Sequence, residues 1–96
     1  MRLGRVVVGG HSMRPALEHG DRLVYVSGAP RVGDVCVATD PRAPGRWIVK
    51  RVAAVDDGAV TLASDLAGHE RLRVPAGAIV GRAVLRYRPL GRFGRI

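Results

Sequence analysis

Lysine occurs once in this sequence, at Lys50, although arginine occurs fifteen times. It lies inside the apolar run WIVKRVAAV, which begins at Trp47. Taken as a strand, the run points Ile48, Lys50, Val52 and Ala54 to one face, and Val49, Arg51, Ala53 and Val55 to the other. The lysine thus shares a face with residues that belong in a core. Burial disfavours an ammonium and can bring its pKa from ~10.4 to near or below neutrality, leaving a free lone pair that can act as a general base. Arginine cannot serve this way, because its guanidinium stays protonated. The alternative is a half-exposed edge lysine whose amine reaches water past an apolar stem. The pattern alone leaves both readings open.

A group that such a base could activate lies 38 residues earlier. Ser12 is one of three serines and sits in GGHSMRPALEHGDRLVYV, from Gly9 to Val26. A serine hydroxyl is a weak nucleophile until a base takes its proton. Gly9 and Gly10 let the backbone approach a bound molecule closely. A single helical turn is expected over Met13 to Glu18, with Ser12 as its N-cap and Pro15 early in it. At the start of such a turn, backbone N–H groups could stabilise an oxyanion. The plainer role for Ser12 is to cap the turn.

The elements that must position these two residues are short β runs between turn signals: RVVVG, RLVYV, DVCVA, RWIVKRVAAV, AVTLAS, LRVP and AIVGRAVLRY. The separators SGAPRVGD, DPRAPG, DDG and PAG are rich in Gly, Pro and Asp. The expectation is an all-β fold of six to eight strands, with one domain over residues 1–90. The C-terminal glycines and proline give residues 91–96 the look of a frayed tail. The phrases HGDRLVYV and VGDVCVAT look alike, but a Gly-Asp turn before an apolar run is ordinary punctuation. Asp21 and Asp34 most simply fix those turns.

Taken together, the two stretches resemble a known family. GHSMRPALEHGDRLVYV is similar to the S-M-x-P-x-L-x-x-G-D box of type I signal peptidases and LexA-like self-cleaving repressors. WIVKRV resembles their lysine box, VGDVCVATDP their G-D-V-V strand, and AIVGRAVLRYRP their closing I-V-G-(K/R)-A strand. The resemblance implies a small coiled or partly open β-barrel. It also implies a Ser–Lys peptidase that works through an acyl-enzyme without a cofactor or metal. In that reading Ser12 attacks, Lys50 moves the proton, and the backbone at Ser12 and Gly10 borders the oxyanion. Gly10 lacks the side-chain hydroxyl that some relatives place there. Met13 matches a residue beside the substrate pocket, with core filling as its other reading. The substrate would be a leader or signal-type peptide held as an extended strand, usually with small residues before the cut.

The likeness weakens further along. Signal peptidases carry a G-D-N box and then S-x-D-S-R, whose serine bonds the lysine. Here the region reads ASDLAGHERLRVP, several residues short, with a loose echo in Asp65, Glu70 and Arg71. Ser64 is the remaining candidate for the lysine's partner, and the shortening argues against it. The compact Ser12–Lys50 spacing is more like the LexA arrangement. An anchorless member of this size is similar to the maturation proteases that trim the leader of nickel-type superoxide dismutase.

Composition narrows the remaining classes. The formal net charge is +8, which raises nucleic acid or an anionic membrane as partners. The arginines are mostly scattered, which fits a solvated surface, and no nucleic-acid partner is expected. Peripheral membrane contact through the basic surface stays open. No stretch reaches the ~18 apolar residues of a membrane span or has a signal-peptide pattern, so a cytoplasmic chain is expected. Cys36, between valines, reads as a small buried hydrophobe rather than a nucleophile. His11, His19 and His69 have neither triad nor metal-ligand spacing. The two other functional readings are a non-catalytic relative that binds an extended peptide or protein, and a basic β-barrel that binds nucleic acid.

Overall fold

A computed structural model describes residues 2–96; Met1, part of the expected domain, lies outside the described residues. Eight strands form in chain order: β1 (Leu3–Val7), β2 (Arg22–Val26), β3 (Val35–Thr39), β4 (Trp47–Asp56), β5 (Ala59–Ala63), β6 (Leu72–Pro75), β7 (Ile79–Arg88) and β8 (Gly94–Arg95). Seven of them coincide, within a residue or two, with the apolar runs between turn signals. All pairings are antiparallel, in the order β1-β2-β7-β3-β4-β5-β6 with β8 beside β7. The sheet curls into a half-barrel, the partly open barrel that the resemblance implied. Among the described residues no helix is long and apolar enough to cross a membrane.

Two apolar clusters fill the curl. One holds Val8, Met13, Leu17, Leu23, Val37 and Val49; the other holds Cys36, Ile48, Val52, Val60, Leu62 and Val74. Strand β4 runs between them, giving Val49 to the first and Ile48 and Val52 to the second. That double burial is why its sequence is nearly all apolar. Cys36 is fully buried, and burial, aided by the charge of Asp34, pushes its thiol up to about 11.

The two Gly-Asp phrases build the same turn twice. Gly20 and Gly33 take φ of +88° and +94°, which a side chain would oppose. The following aspartates each accept the backbone N–H three residues back: Glu18 to Asp21 Oδ2 at 2.9 Å, and Arg31 to Asp34 Oδ2 at 3.1 Å. Each turn then launches a strand, β2 or β3.

Two expectations need correction. Residues 12–16 form successive turns rather than a helix, closed by the Leu17 N–H to the Met13 carbonyl at 2.8 Å. The end of the chain does not stand off as a tail. β8 pairs with β7 at Leu85–Arg95 and Arg86–Gly94. It takes the stretch of β7 edge beyond β3, because β2 occupies the opposite edge. Arg92 Nη1 also donates to Asp21 Oδ1 at 3.2 Å. Composition showed the glycines of this segment but not the buried acceptor waiting for its arginine.

Closure of the sheet at β7 depends on Gly81. A Cβ there would run into the carbonyl of Val26 on β2, and backbone yields less readily than a side chain. Gly81→Ala is therefore expected to destabilise the fold by roughly 1–3 kcal/mol through overpacking. Urea unfolding followed by circular dichroism measures it, and a midpoint equal to wild type would contradict the contact.

Candidate active site

Ser12 stands in the turns between β1 and β2, and Lys50 stands on β4. The chain brings them together: Lys50 Nζ lies 2.7 Å from Ser12 Oγ. The serine side chain is thus engaged with the lysine rather than capping a helix. Lys50 is half-buried between the buried Val49 and Val52. It pairs across β3–β4 with Cys36, which has no exposure. Burial first, and then the positive charges of Arg42 and Arg46, lower the lysine's pKa from its ordinary value, while Asp40 opposes them. Of the two sequence readings of Lys50, the geometry favours the desolvated amine.

Ser64 also reaches the lysine. Lys50 Nζ donates to Ser64 Oγ at 2.8 Å, although the shortening of the ASDLAGHERLRVP region argues against that pairing. The hairpin explains why. Arg51 pairs with Ala63, so Ser64, one residue on, falls opposite Lys50. A register shift between Val52 and Ala54 sets this alignment; without it, Asp65 would face the lysine instead. Asp65 takes a different partner, accepting Arg51 Nε at 3.0 Å and Arg51 Nη2 at 2.7 Å. The fork-to-carboxylate geometry fixes the start of the β5–β6 loop. The Leu66 N–H then donates to the Ser12 carbonyl at 2.8 Å and ties that loop to the serine turn. Asp65, an echo of the family's acidic position in the sequence, is thus the partner of Arg51. The signal was the two-residue offset across a hairpin, with Lys50-Arg51 on one arm and Ser64-Asp65 on the other.

The backbone candidates separate. Among the described residues the Ser12 N–H meets no acceptor, so it is free for an incoming oxygen. The Gly10 N–H is not free: it donates to His19 Nδ1 at 2.8 Å, which removes Gly10 as an oxyanion donor. Gly10 keeps a conformational role at φ +80°. Met13 is 1% exposed within the first cluster, so it fills the core and does not line the cleft.

A cleft of about 170 Å³ opens over the pair. Besides Ser12 and Lys50 it is lined by Val7, Gly9, Arg42, Arg46 and Trp47. Trp47, half-exposed and edge-on to Tyr25 with ring centroids 6.0 Å apart, is a wall rather than core. Strand β1 ends at this cleft and has a free edge in the sheet order, so its outer N–H and C=O groups are open to an extended chain. A second hollow of about 280 Å³, lined in part by Arg51, Arg82 and Arg95, does not include the pair.

Chemically, the arrangement is a hydroxyl against a desolvated amine, with a free backbone N–H on the same serine and a second hydroxyl steadying the amine. A family model described as signal peptidase, peptidase S26, matches residues 2–67. That span includes Ser12, Lys50 and Ser64. No curated protein and no solved structure matches the chain.

Proposed function

The chain belongs to the signal peptidase family, peptidase S26, and from that membership we propose a serine endopeptidase in which Ser12 and Lys50 form a dyad that cuts a leader or signal-type peptide through an acyl-enzyme. The observation that carries the proposal is the 2.7 Å approach of Lys50 Nζ to Ser12 Oγ on a half-buried, lowered-pKa amine.

The neutral amine accepts the Ser12 proton as Oγ attacks the scissile carbonyl carbon. The resulting oxyanion is met by the Ser12 N–H. As the C–N bond breaks, the Lys50 ammonium gives its proton to the departing amine, leaving an ester on Ser12. Water then attacks that ester, Lys50 takes the water's proton, and the C–O bond breaks. Ser12 Oγ regains a proton from Lys50, and the acid product leaves. Ser64 Oγ accepts a hydrogen bond from the amine and turns its lone pair toward Ser12. The peptide lies along the free edge of β1, with small residues entering the narrow cleft. No step calls for a metal or cofactor.

The test is the pH dependence of Lys50 acylation by an amine-directed probe, with the adduct located by mass spectrometry. A lowered pKa means the deprotonated amine appears at lower pH, so labelling should rise and level off below the ordinary 10.5. Ser12→Ala should keep a lowered midpoint, since burial is the main cause. A midpoint at the ordinary lysine value would remove the base and favour a binding module.

A further inference from the structure

Arg42 and Arg46 line the cleft, and among the described residues the carboxylate within 4 Å of either guanidinium is the buried Asp40 behind them. Asp40, whose side chain is 2% exposed, accepts Arg42 Nε at 2.9 Å and Arg42 Nη2 at 3.3 Å. Arg42 holds that carboxyl below the usual carboxylate range. Arg46 Nε stands 3.8 Å from Asp40 Oδ2, the oxygen that Arg42 Nη2 also meets, and so lies beyond hydrogen-bond distance. Among the described residues Arg46 makes no side-chain hydrogen bond. Both arginines are open to solvent, 61% and 67% exposed, and both line the cleft beside Lys50. Two guanidiniums therefore share one carboxylate, and one of them offers its donors to whatever enters.

We infer that the cleft selects an acidic side chain on the peptide it binds, with Arg46, backed by the Arg42–Asp40 pair, as the specificity-determining group. The register follows from the strand. Arg46 lies four residues from Lys50 along the β4 line, about 13 Å at ~3.3 Å per residue. An extended peptide covers that span in three or four residues, so the acidic residue sits three or four positions from the scissile bond. A planar guanidinium suits a carboxylate because it can donate two parallel hydrogen bonds. The register deepens the peptidase reading and rests on it, while the charge preference itself does not. There is also a consequence for the base. A carboxylate docked at Arg46 cancels part of the positive field on Lys50, so the amine in the complex holds its proton to higher pH than in the free protein.

The probes are paired fluorescein-labelled dodecapeptides with Ala-Ala at the centre. Each pair carries Glu or Gln three or four positions to one side of that centre. Binding to the Ser12→Ala protein is read by fluorescence anisotropy, which needs no turnover. One Glu peptide should bind about three- to ten-fold more tightly than its Gln twin. Arg46→Gln should erase that ratio, and Arg31→Gln, at an exposed turn, should keep it. Twins that bind equally or not at all overturn the inference. So does a ratio lost equally in Arg31→Gln, which would mark general attraction to a chain of charge +8. Hydrolysis of the same peptides by wild type separates the two readings. Glu-selective binding without cleavage upholds the charge preference but removes its register together with the peptidase proposal; cleavage without Glu preference upholds the peptidase proposal and overturns the charge preference.

Discussion

Lys50→Ala is expected to reduce turnover of a cleavable leader peptide at least a thousand-fold while leaving the β-sheet signal of the protein intact. The side chain is half-buried and contacts hydroxyls, so truncation removes the base without emptying the core. Ser12→Ala should fall as far. The double variant should fall no further, because two groups acting as one unit are not additive. Lys50→Arg makes the chemistry specific, since it keeps the charge but cannot give up a proton at working pH. It should be as inactive as Lys50→Ala. Ser64→Ala should lie between, about ten-fold below wild type, as one hydrogen bond to the amine is lost. Peptide hydrolysis followed by mass spectrometry measures all of these. A Lys50→Arg protein within ten-fold of wild type would sink the dyad.

The second large effect concerns stability. Asp21→Ala is expected to remove about 3 kcal/mol, the lower part of the range for stripping one partner from a buried ion pair. In a domain of this size that lowers the melting temperature by roughly 10–20 °C. Asp21 is 2% exposed and accepts from three donors: the Glu18 N–H, Arg86 Nη1 at 3.2 Å and Arg92 Nη1 at 3.2 Å. Arg86 also donates to the Ala16 and Arg92 carbonyls at 3.0 and 2.6 Å. One carboxylate thus joins the serine-bearing turns, β7 and the end of the chain. Arg86 is 17% and Arg92 36% exposed, and partial hydration of the freed guanidiniums keeps the loss at the low end. Thermal unfolding by circular dichroism tests it, and a drop under about 4 °C would show that Asp21 is not the tie.

Most of the sheet was legible because Val, Ile and Leu runs alternate with Gly-Asp, Pro-Arg-Ala-Pro and Asp-Asp-Gly breaks, and those breaks are where the chain turns. The meeting of Lys50 with Ser12 was legible through one anomaly, a lone lysine on an apolar face in a chain that otherwise writes arginine. What failed depended on geometry that composition does not carry. Ser64 was disfavoured from the length of its box, while its placement comes from a register shift in the β4–β5 hairpin. Met13 has a side chain suited to a pocket or a core, and the turn that carries it aims inward. The tail looked loose because its glycines are visible in the sequence, whereas the buried carboxylate that receives Arg92 is 71 residues away. Arg42 and Arg46 read as scattered surface charge until the β3–β4 loop set them on one rim.

Cys36 gives the molecule an internal clock. The thiol is fully enclosed and pairs across the strands with Lys50. A thiol-directed alkylating reagent will therefore find nothing to react with while β3 and β4 stay zipped. Its rate of uptake counts the openings of the strand that carries the amine. The folded chain thus offers chemists a single side-chain amine and no accessible thiol. The two reagents together would report occupancy of the cleft and breathing of the sheet in one experiment.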